Sequence, residues 1–385
     1  MTVRLVEDPH AERKAVIQVV GVGGGGGNAI GRMIDGNLRG VDFIAVNTDA
    51  QALTSCPAPQ KVQIGGTLTG GLGSGADPDV GRRAAEEDRD LLTESLSGAD
   101  MVFMTAGLGG GTGTGAAPVI ADVAKELNAL TVAIVTKPFR FEGDKRAERA
   151  EAGLNLLREK ADTLIVIRND ALLDIVDKST TMIEAFRMAD NVLYQGVQCV
   201  CDLVSDPGII NLDFADVRAI MSQTGTAVMG VGAGQGDNRA AEAAANAMAC
   251  PLLEHSDIRD AKGVIINIAG GKDLTMLEVN RAAAVVHEAV HPDANIIFGA
   301  AVREAPRGEV RVTLIATGFA TADETSQIKQ PTELPLFEEI EIETPAFVRR
   351  GRHPRPKRAK TRKQVSSTRS DLDRPAFMRR KEKDA

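Results

Sequence analysis

The chain has 385 residues, 43% of them hydrophobic and 25% charged, with a formal net charge of −8 and a mean hydropathy of −0.09. That length exceeds one ordinary core and implies two domains, with room for a tail. No apolar run approaches the ~20 residues of a membrane helix, and "MTVRLVEDPHAERK" lacks the apolar core of a signal peptide, so a cytoplasmic, globular protein is expected.

From residue 14 onward, apolar strands alternate with amphipathic helices. The pattern predicts strands over 15–20 ("AVIQVV"), 41–46 ("VDFIAV"), 100–105 ("DMVFMT"), 130–135 ("LTVAIV") and 163–168 ("TLIVIR"), with helices at about 26–38, 79–97, 116–128 and 143–160. Continuous apolar strands separated by such helices imply a parallel sheet covered on both faces, with ligands gathering at the carboxyl ends of its strands. A long helical pattern covers 181–204. A second α/β unit follows, carried by "GTAVMGVG", "NRAAEAAANAMACPLL", "GVIINIAGG", "MLEVNRAAAVVHEAV", "NIIFGAAV" and "VRVTLIATG", and ends near Gly318. Beyond it the apolar period stops and prolines, acids and then bases take over, the composition of a disordered segment. The organisation expected is a flexible start (1–13), a nucleotide-binding domain (14–180), a central helix (181–204), a second domain (205–318), a linker (319–341) and a basic tail (342–385).

Three glycine stretches punctuate the first half. "GLGGGTGTGAAP" (107–118) follows a strand and opens a helix, the geometry that offers a row of backbone N–H groups and the positive end of a helix to an anion such as phosphate. Gly107, Gly109, Gly110, Gly111, Gly113 and Gly115 together cost too much chain entropy for a plain turn. A Walker loop needs a lysine and this stretch has none. At the end of the first strand, Gly21, Gly23 and Gly26 of "VVGVGGGGGNAIGRM" satisfy G-x-G-x-x-G, but Asn47 and Asp49 come 26 and 28 residues after Gly21, later than a dinucleotide fold wants its ribose acid. With "GGLGSG" (70–75), the three stretches are expected to close successive strand-to-helix connections on one sheet edge and to surround a triphosphate.

The four cysteines, Cys56, Cys199, Cys201 and Cys250, match no common zinc or redox spacing and are expected to be buried thiols. Charge is split along the chain: residues 349–385 carry fifteen Lys/Arg against four Asp/Glu, or +11, which leaves −19 for 1–348 out of the total of −8. Within the tail, "IETPAFVRR" (342–350) and "LDRPAFMRR" (372–380) repeat one frame. An apolar Pro-Ala-Phe element framed by charge suits a short peptide that orders in a partner's groove. The alternative is a low-complexity echo.

"GGGTGTG" at 109–115, with the flanking "GADMVF", "VNTDAQAL", "TKPFRFEG" and "NLDFADVR", resembles the FtsZ family of bacterial cell-division GTPases in the tubulin superfamily, densely from about 14 to 318. The resemblance implies an α/β fold in which a parallel-sheet GTPase domain is joined by a long central helix to a second α/β domain. It implies GTP/GDP as substrate and product, with Mg²⁺ on the phosphates. Gly24, Gly25, Gly26, Gly27, Asn28, Gly110, Gly111, Thr112, Gly113, Thr114 and Gly115 would cradle the phosphates, with Glu142 and Arg146 near phosphate and sugar. Phe186 and Asp190, four apart on the central helix, share a face; the ring can stack on a purine while the carboxylate accepts the N–H donors that guanine has and adenine lacks. By pattern alone Phe186 is equally a core aromatic, and Glu142 with Arg146 a surface ion pair.

For hydrolysis the resemblance points to "NLDFADV": Asp213 and Asp216 would orient and polarise the attacking water, with Asn211 positioning the loop. The same spacing at a helix start also fits an N-cap with its partner. A helix from Asp190 to Val204 extends about 20 Å, so these acids cannot reach their own nucleotide. A second subunit stacked head to tail would bring its acids over the first one's γ-phosphate, and such a heterologous contact yields a filament. No protein-held metal cluster and no nucleic-acid partner are expected. The PAF peptides would dock on membrane-tethering and regulatory division proteins at a midcell ring under the membrane, and the basic segment between them could touch acidic lipid headgroups or remain a solvated charge run. Two other functions compete: a nicotinamide-dependent oxidoreductase, for which no hydride-transfer residue is found, and a tubulin-like filament for plasmid or organelle segregation, against which the PAF tail stands.

Overall fold

The computed structural model describes residues 15–173, 179–204, 213–222, 225–253, 258–302 and 308–319, all of them within one compact unit of the chain. Asn211, both PAF peptides, the basic segment between them and the first fourteen residues lie outside the described residues.

The strands are β1 (Ile17–Val22), β2 (Asp42–Asn47), β3 (Gln60–Gln63), β4 (Met101–Gly107), β5 (Leu130–Lys137), β6 (Thr163–Arg168), β7 (Gly225–Gln235), β8 (Gly263–Gly270), β9 (Asn295–Val302) and β10 (Glu309–Thr317). The helices are α1 (Gly23–Asp35), α2 (Ala50–Ser55), α3 (Gly66–Thr69), α4 (Pro78–Glu87), α5 (Arg89–Leu96), α6 (Thr112–Glu126), α7 (Asp144–Lys160), α8 (Asn169–Leu172), α9 (Met182–Val204), α10 (Phe214–Met221), α11 (Arg239–Met248) and α12 (Met276–Ala289). All five strands expected in the first half are present. The single helix expected over 79–97 is two, because Asp88 leaves the helical region (φ −107°, ψ 29°) and its carboxylate accepts the Gly65 N–H at 2.6 Å.

The strands form one ten-stranded sheet in the order β3-β2-β1-β4-β5-β6-β7-β10-β8-β9. From β3 to β6 every pairing is parallel, and the β-branched strands are buried on both faces, as a parallel sheet requires. β7 joins the halves: its first three residues pair parallel with β6, then it runs antiparallel to β10. One core forms between the β1–β6 sheet and α4–α7, with Ile120, Leu92 and Leu154 at its centre. On the opposite face α1, α9 and α10 pack in a core that runs from Met33 and Ile134 to Ile265 and Ile315 of the second half. A third core holds α11 and α12 against β8 and β10.

α9 therefore touches both halves of the sheet. Its 23 residues make a rod about 34 Å long at 1.5 Å per residue. Gly196 lets it lie close to the sheet, since a Cβ there would stand 3.2 Å from both Ile134 Cδ1 and Met229 Sδ. Near its far end the buried Asp202 accepts from Asn267 Nδ2 of β8 at 3.0 Å. All four cysteines are free thiols. Cys56, Cys199 and Cys201 are buried, but Cys250 is only half-buried. Burial, with Asp202 and Cys201 nearby, pushes the Cys199 thiol well above its ordinary range.

Candidate nucleotide site

The glycine stretches do not form three equivalent loops. β1 ends at Val22 and α1 begins at Gly23, so Gly23–Gly27 are the first turns of a helix. α6 begins at Thr112 and takes Gly113 and Gly115 into its first turns. The stretch 70–75 lies between α3 and α4 rather than at a strand end. The reason is packing. A Cβ on Gly26 would come 2.5 Å from the Thr105 carbonyl oxygen, one on Gly113 2.6 Å from that of Gly107, and one on Gly115 1.9 Å from that of Pro78. These glycines let α1, α4 and α6 crowd together over the sheet. By contrast, a Cβ on Gly24, Gly27 or Gly110 would meet nothing within 4 Å, and those positions leave open space beside the backbone.

That space faces two uncapped helix ends. Neither α1 nor α6 has a side-chain N-cap or an acidic residue in its first turn, whereas every other described helix of eight residues or more carries an acid there. Two sets of orphan N–H groups and two positive dipole ends thus converge on one place without a protein anion to satisfy them.

The cleft they border has a volume of about 390 Å³, within the range of small-molecule sites. Of the residues expected from the sequence, Gly24, Gly25, Asn28, Gly110, Gly111, Thr112, Gly113, Glu142, Arg146, Phe186 and Asp190 line it. Gly27 borders an adjoining cavity of about 420 Å³ that shares Gly24, Asn28 and Asp190 and adds Arg32 and Arg187. Gly26, Thr114 and Gly115 stand behind the wall rather than in it. Gly26 and Gly115 are packing glycines, and Thr114 Oγ1 accepts the Gly109 N–H at 2.8 Å, fixing the loop.

Hydroxyls tie the loops to one another. Thr112 Oγ1 lies 2.7 Å from Thr48 Oγ1 and 3.0 Å from Ser74 Oγ, so α6, the end of β2 and the 70–75 stretch share one buried knot. At the other end of the cleft Phe186 is 40% exposed and the Asp190 carboxyl is pushed up to about 6 by burial, with Arg32 pulling the other way. A partly desolvated carboxylate there favours a ligand that brings donors to it. Glu142 Oε1 accepts the Phe139 N–H at 2.9 Å and its other oxygen accepts from Arg146 Nη1.

Asn169 was not foreseen. It is buried and lines the cleft, and its Oδ1 has no hydrogen-bond partner, an acceptor waiting for a donor. Its one sequence signal is position: it is the first residue beyond β6, at the carboxyl edge where ligands of such sheets bind. Ser74, Thr48 and Thr136 fall inside stretches singled out in the sequence but are not picked out individually, and Leu193 has no signal beyond its place on the long helix.

Asp213 and Asp216 are exposed on α10 and line neither the cleft nor the adjoining cavity. Asp213 is the N-cap, accepting the Ala215 N–H at 3.2 Å. Buried Val217, Ile220 and Met221 anchor the helix, Arg218 Nη2 donates to the Asn128 carbonyl at 3.1 Å, and Thr163 Oγ1 donates to that of Met221. Two carboxylates are thus held firmly at a surface away from the subunit's own cleft.

Comparison with known proteins bears on what this cleft does. Residues 16–177 match the Tubulin/FtsZ family GTPase domain and residues 225–320 the FtsZ family C-terminal domain. Among solved structures, the chain is similar to an empty FtsZ dimer from M. jannaschii, with 44% identity over 80% of this chain and 89% of that one and a TM-score of 0.77. It also shares its fold with CetZ2 from Haloferax volcanii, a GTPgS-bound protofilament (23% identity, 81% and 96% covered, TM-score 0.67), and with the GDP-bound monomer of CetZ1 from the same organism (20%, 82% and 98%, 0.68).

Proposed function

The chain belongs to the FtsZ family and is a GTPase, and from that premise we propose that it polymerises head to tail on GTP and hydrolyses it at a site completed by the next subunit. The observation that carries this reading is the separation of the two half-sites: the acids that line the cleft are Glu142, engaged by Arg146 and the Phe139 N–H, and Asp190 beside Phe186, while Asp213 and Asp216 stand exposed elsewhere. The uncapped ends of α1 and α6 bind the phosphates, and Asp190 with Phe186 holds the guanine. Each neighbour contributes Asp213 and Asp216, with Asn211 supporting their loop, to orient the attacking water. Phosphoryl transfer of this kind is mainly positioning and charge stabilisation.

Two large apolar side chains support a covering neighbour. Leu72, in the 70–75 stretch, is 87% exposed, and Phe141, beside Glu142, is 60% exposed. A neighbour seated over the cleft would cover both. A contact that does not close on itself grows into a filament, in keeping with the dimer and protofilament of the related structures.

Among the described residues no group of three or more His, Cys, Asp or Glu could hold a metal. A cleft walled by amides and hydroxyls fits Mg²⁺ that arrives on the phosphates and keeps several of its waters; when bound, it neutralises phosphate charge. In the cell, such a filament would form the division ring at midcell under the membrane. The two PAF peptides would recruit tethering and regulatory division proteins, and the basic tail segment would contact acidic lipid.

Asp213→Ala tests the assignment. It should bind GTP and assemble like the unaltered chain, yet release phosphate at least about 10²-fold more slowly. Undiminished phosphate release by assembled Asp213→Ala would remove the residue from the mechanism.

A further inference from the structure

Phe139 is almost completely buried, at 1% exposure, but does not line the cleft. It stands behind Phe186, which does. The two rings meet edge to face, with centroids 5.4 Å apart and planes at 90°. Phe139 also stacks on Phe141, at 4.9 Å and 15°. Its backbone N–H holds Glu142 Oε1, and the next residue's N–H is held in turn by Asp170 Oδ1 at 3.0 Å. The segment that carries Phe139 is thereby tied at both the ring and the backbone.

Edge-to-face contact is a preferred geometry of aromatic pairs because the positive edge of one ring meets the negative face of the other, and it fixes the plane of the second ring. Phe186 projects from α9 with much of its surface in water. A stacking platform serves best when its plane is set before the base arrives, since otherwise binding must order it. We propose that Phe139 is a positioning residue for guanine recognition, acting through Phe186 by holding its ring in the plane that stacks on the base. The proposal rests on the reading of Phe186 as the base platform.

Phe139→Leu removes the ring while keeping an apolar side chain. Binding of GTP and of inorganic triphosphate is measured by equilibrium titration on the full chain, diluted to monomer. GTP affinity should fall about 2- to 10-fold, the range to which an aromatic pair's contribution converts, with triphosphate affinity unchanged. In a Phe186→Leu background the same substitution should cost nothing further. Equal weakening toward both ligands, or an undiminished effect in that background, would overturn the proposal. Should Phe139→Leu not fold, Phe139→Met carries the same test: loss of GTP affinity with triphosphate affinity kept supports the proposal, and no loss of GTP affinity, or equal loss toward both ligands, overturns it. If Phe186→Leu alone leaves GTP affinity intact, the platform reading itself fails; if only the Phe139 substitution is silent, this inference alone fails.

Discussion

Ser74 and Thr112 come from different glycine stretches, yet their hydroxyls lie 3.0 Å apart in the floor of the cleft. A Cβ on neighbouring Gly111 would strike Ser74 Oγ at 2.2 Å, so the contact exists only because a glycine precedes Thr112. Thr112→Val keeps the shape and removes the hydroxyl shared with Ser74 and Thr48. Losing a buried hydrogen-bonding group costs about 1–3 kcal/mol, so the melting temperature should fall and GTP affinity should weaken several-fold. Calorimetry with and without GTP checks both.

The glycines separate by what surrounds them. Gly115→Ala drives a methyl group into the Pro78 carbonyl oxygen and should destabilise the nucleotide-free chain by about 2–3 kcal/mol, the upper part of the overpacking range. Gly24→Ala meets nothing within 4 Å and should leave that stability within about 1 kcal/mol while impairing GTP binding. Parallel urea titrations of the two variants distinguish these outcomes.

On the proposed function, Asp190 ties recognition to pH. Its carboxyl titrates near 6 in the folded, empty protein because burial disfavours its charge. If, as proposed, the charged form accepts from guanine, GTP affinity should drop about tenfold between pH 7 and pH 5. For stability the sign is opposite. A raised folded-state value stabilises the empty protein below the unfolded value near 4, and that contribution is lost as pH rises through about 6. Asp190→Asn should therefore raise the stability of the empty protein at pH 7, by about 1–2 kcal/mol after allowance for solvent screening. It should also weaken GTP binding and favour xanthosine triphosphate, whose 2-oxo group accepts where guanine donates. Isothermal titration with both nucleotides at pH 7 and pH 5 checks the set.

Much of this was legible before any coordinates. Buried strands such as "TLIVIR" announce themselves by continuous β-branched runs, and β6 occupies those six residues without shift. Glycine density marked the starts of α1 and α6 that border the cleft. What the chain order hid was contact between distant segments. β3 is four residues with three exposed, too short and polar to register as a strand. The insertion of β10 between β7 and β8 depends on pairing at long range. The glycine turns of α1 and α6 defied helix propensity because crowding against Thr105, Gly107 and Pro78 outweighs a cost of about 1 kcal/mol per glycine. Thr48, Ser74 and Phe139 lie in stretches singled out in the sequence, but their contacts with Thr112 and Phe186 join segments 30 or more residues apart, which no local pattern marks.

The division of labour between subunits is tested most directly by phosphate release per molecule across a dilution series spanning the assembly threshold, with light scattering recorded in parallel. The account predicts that bound GTP persists below the threshold while turnover per molecule falls toward zero, and that turnover rises together with scattering above it. Equal turnover per molecule in dilute monomer and in filament would contradict it.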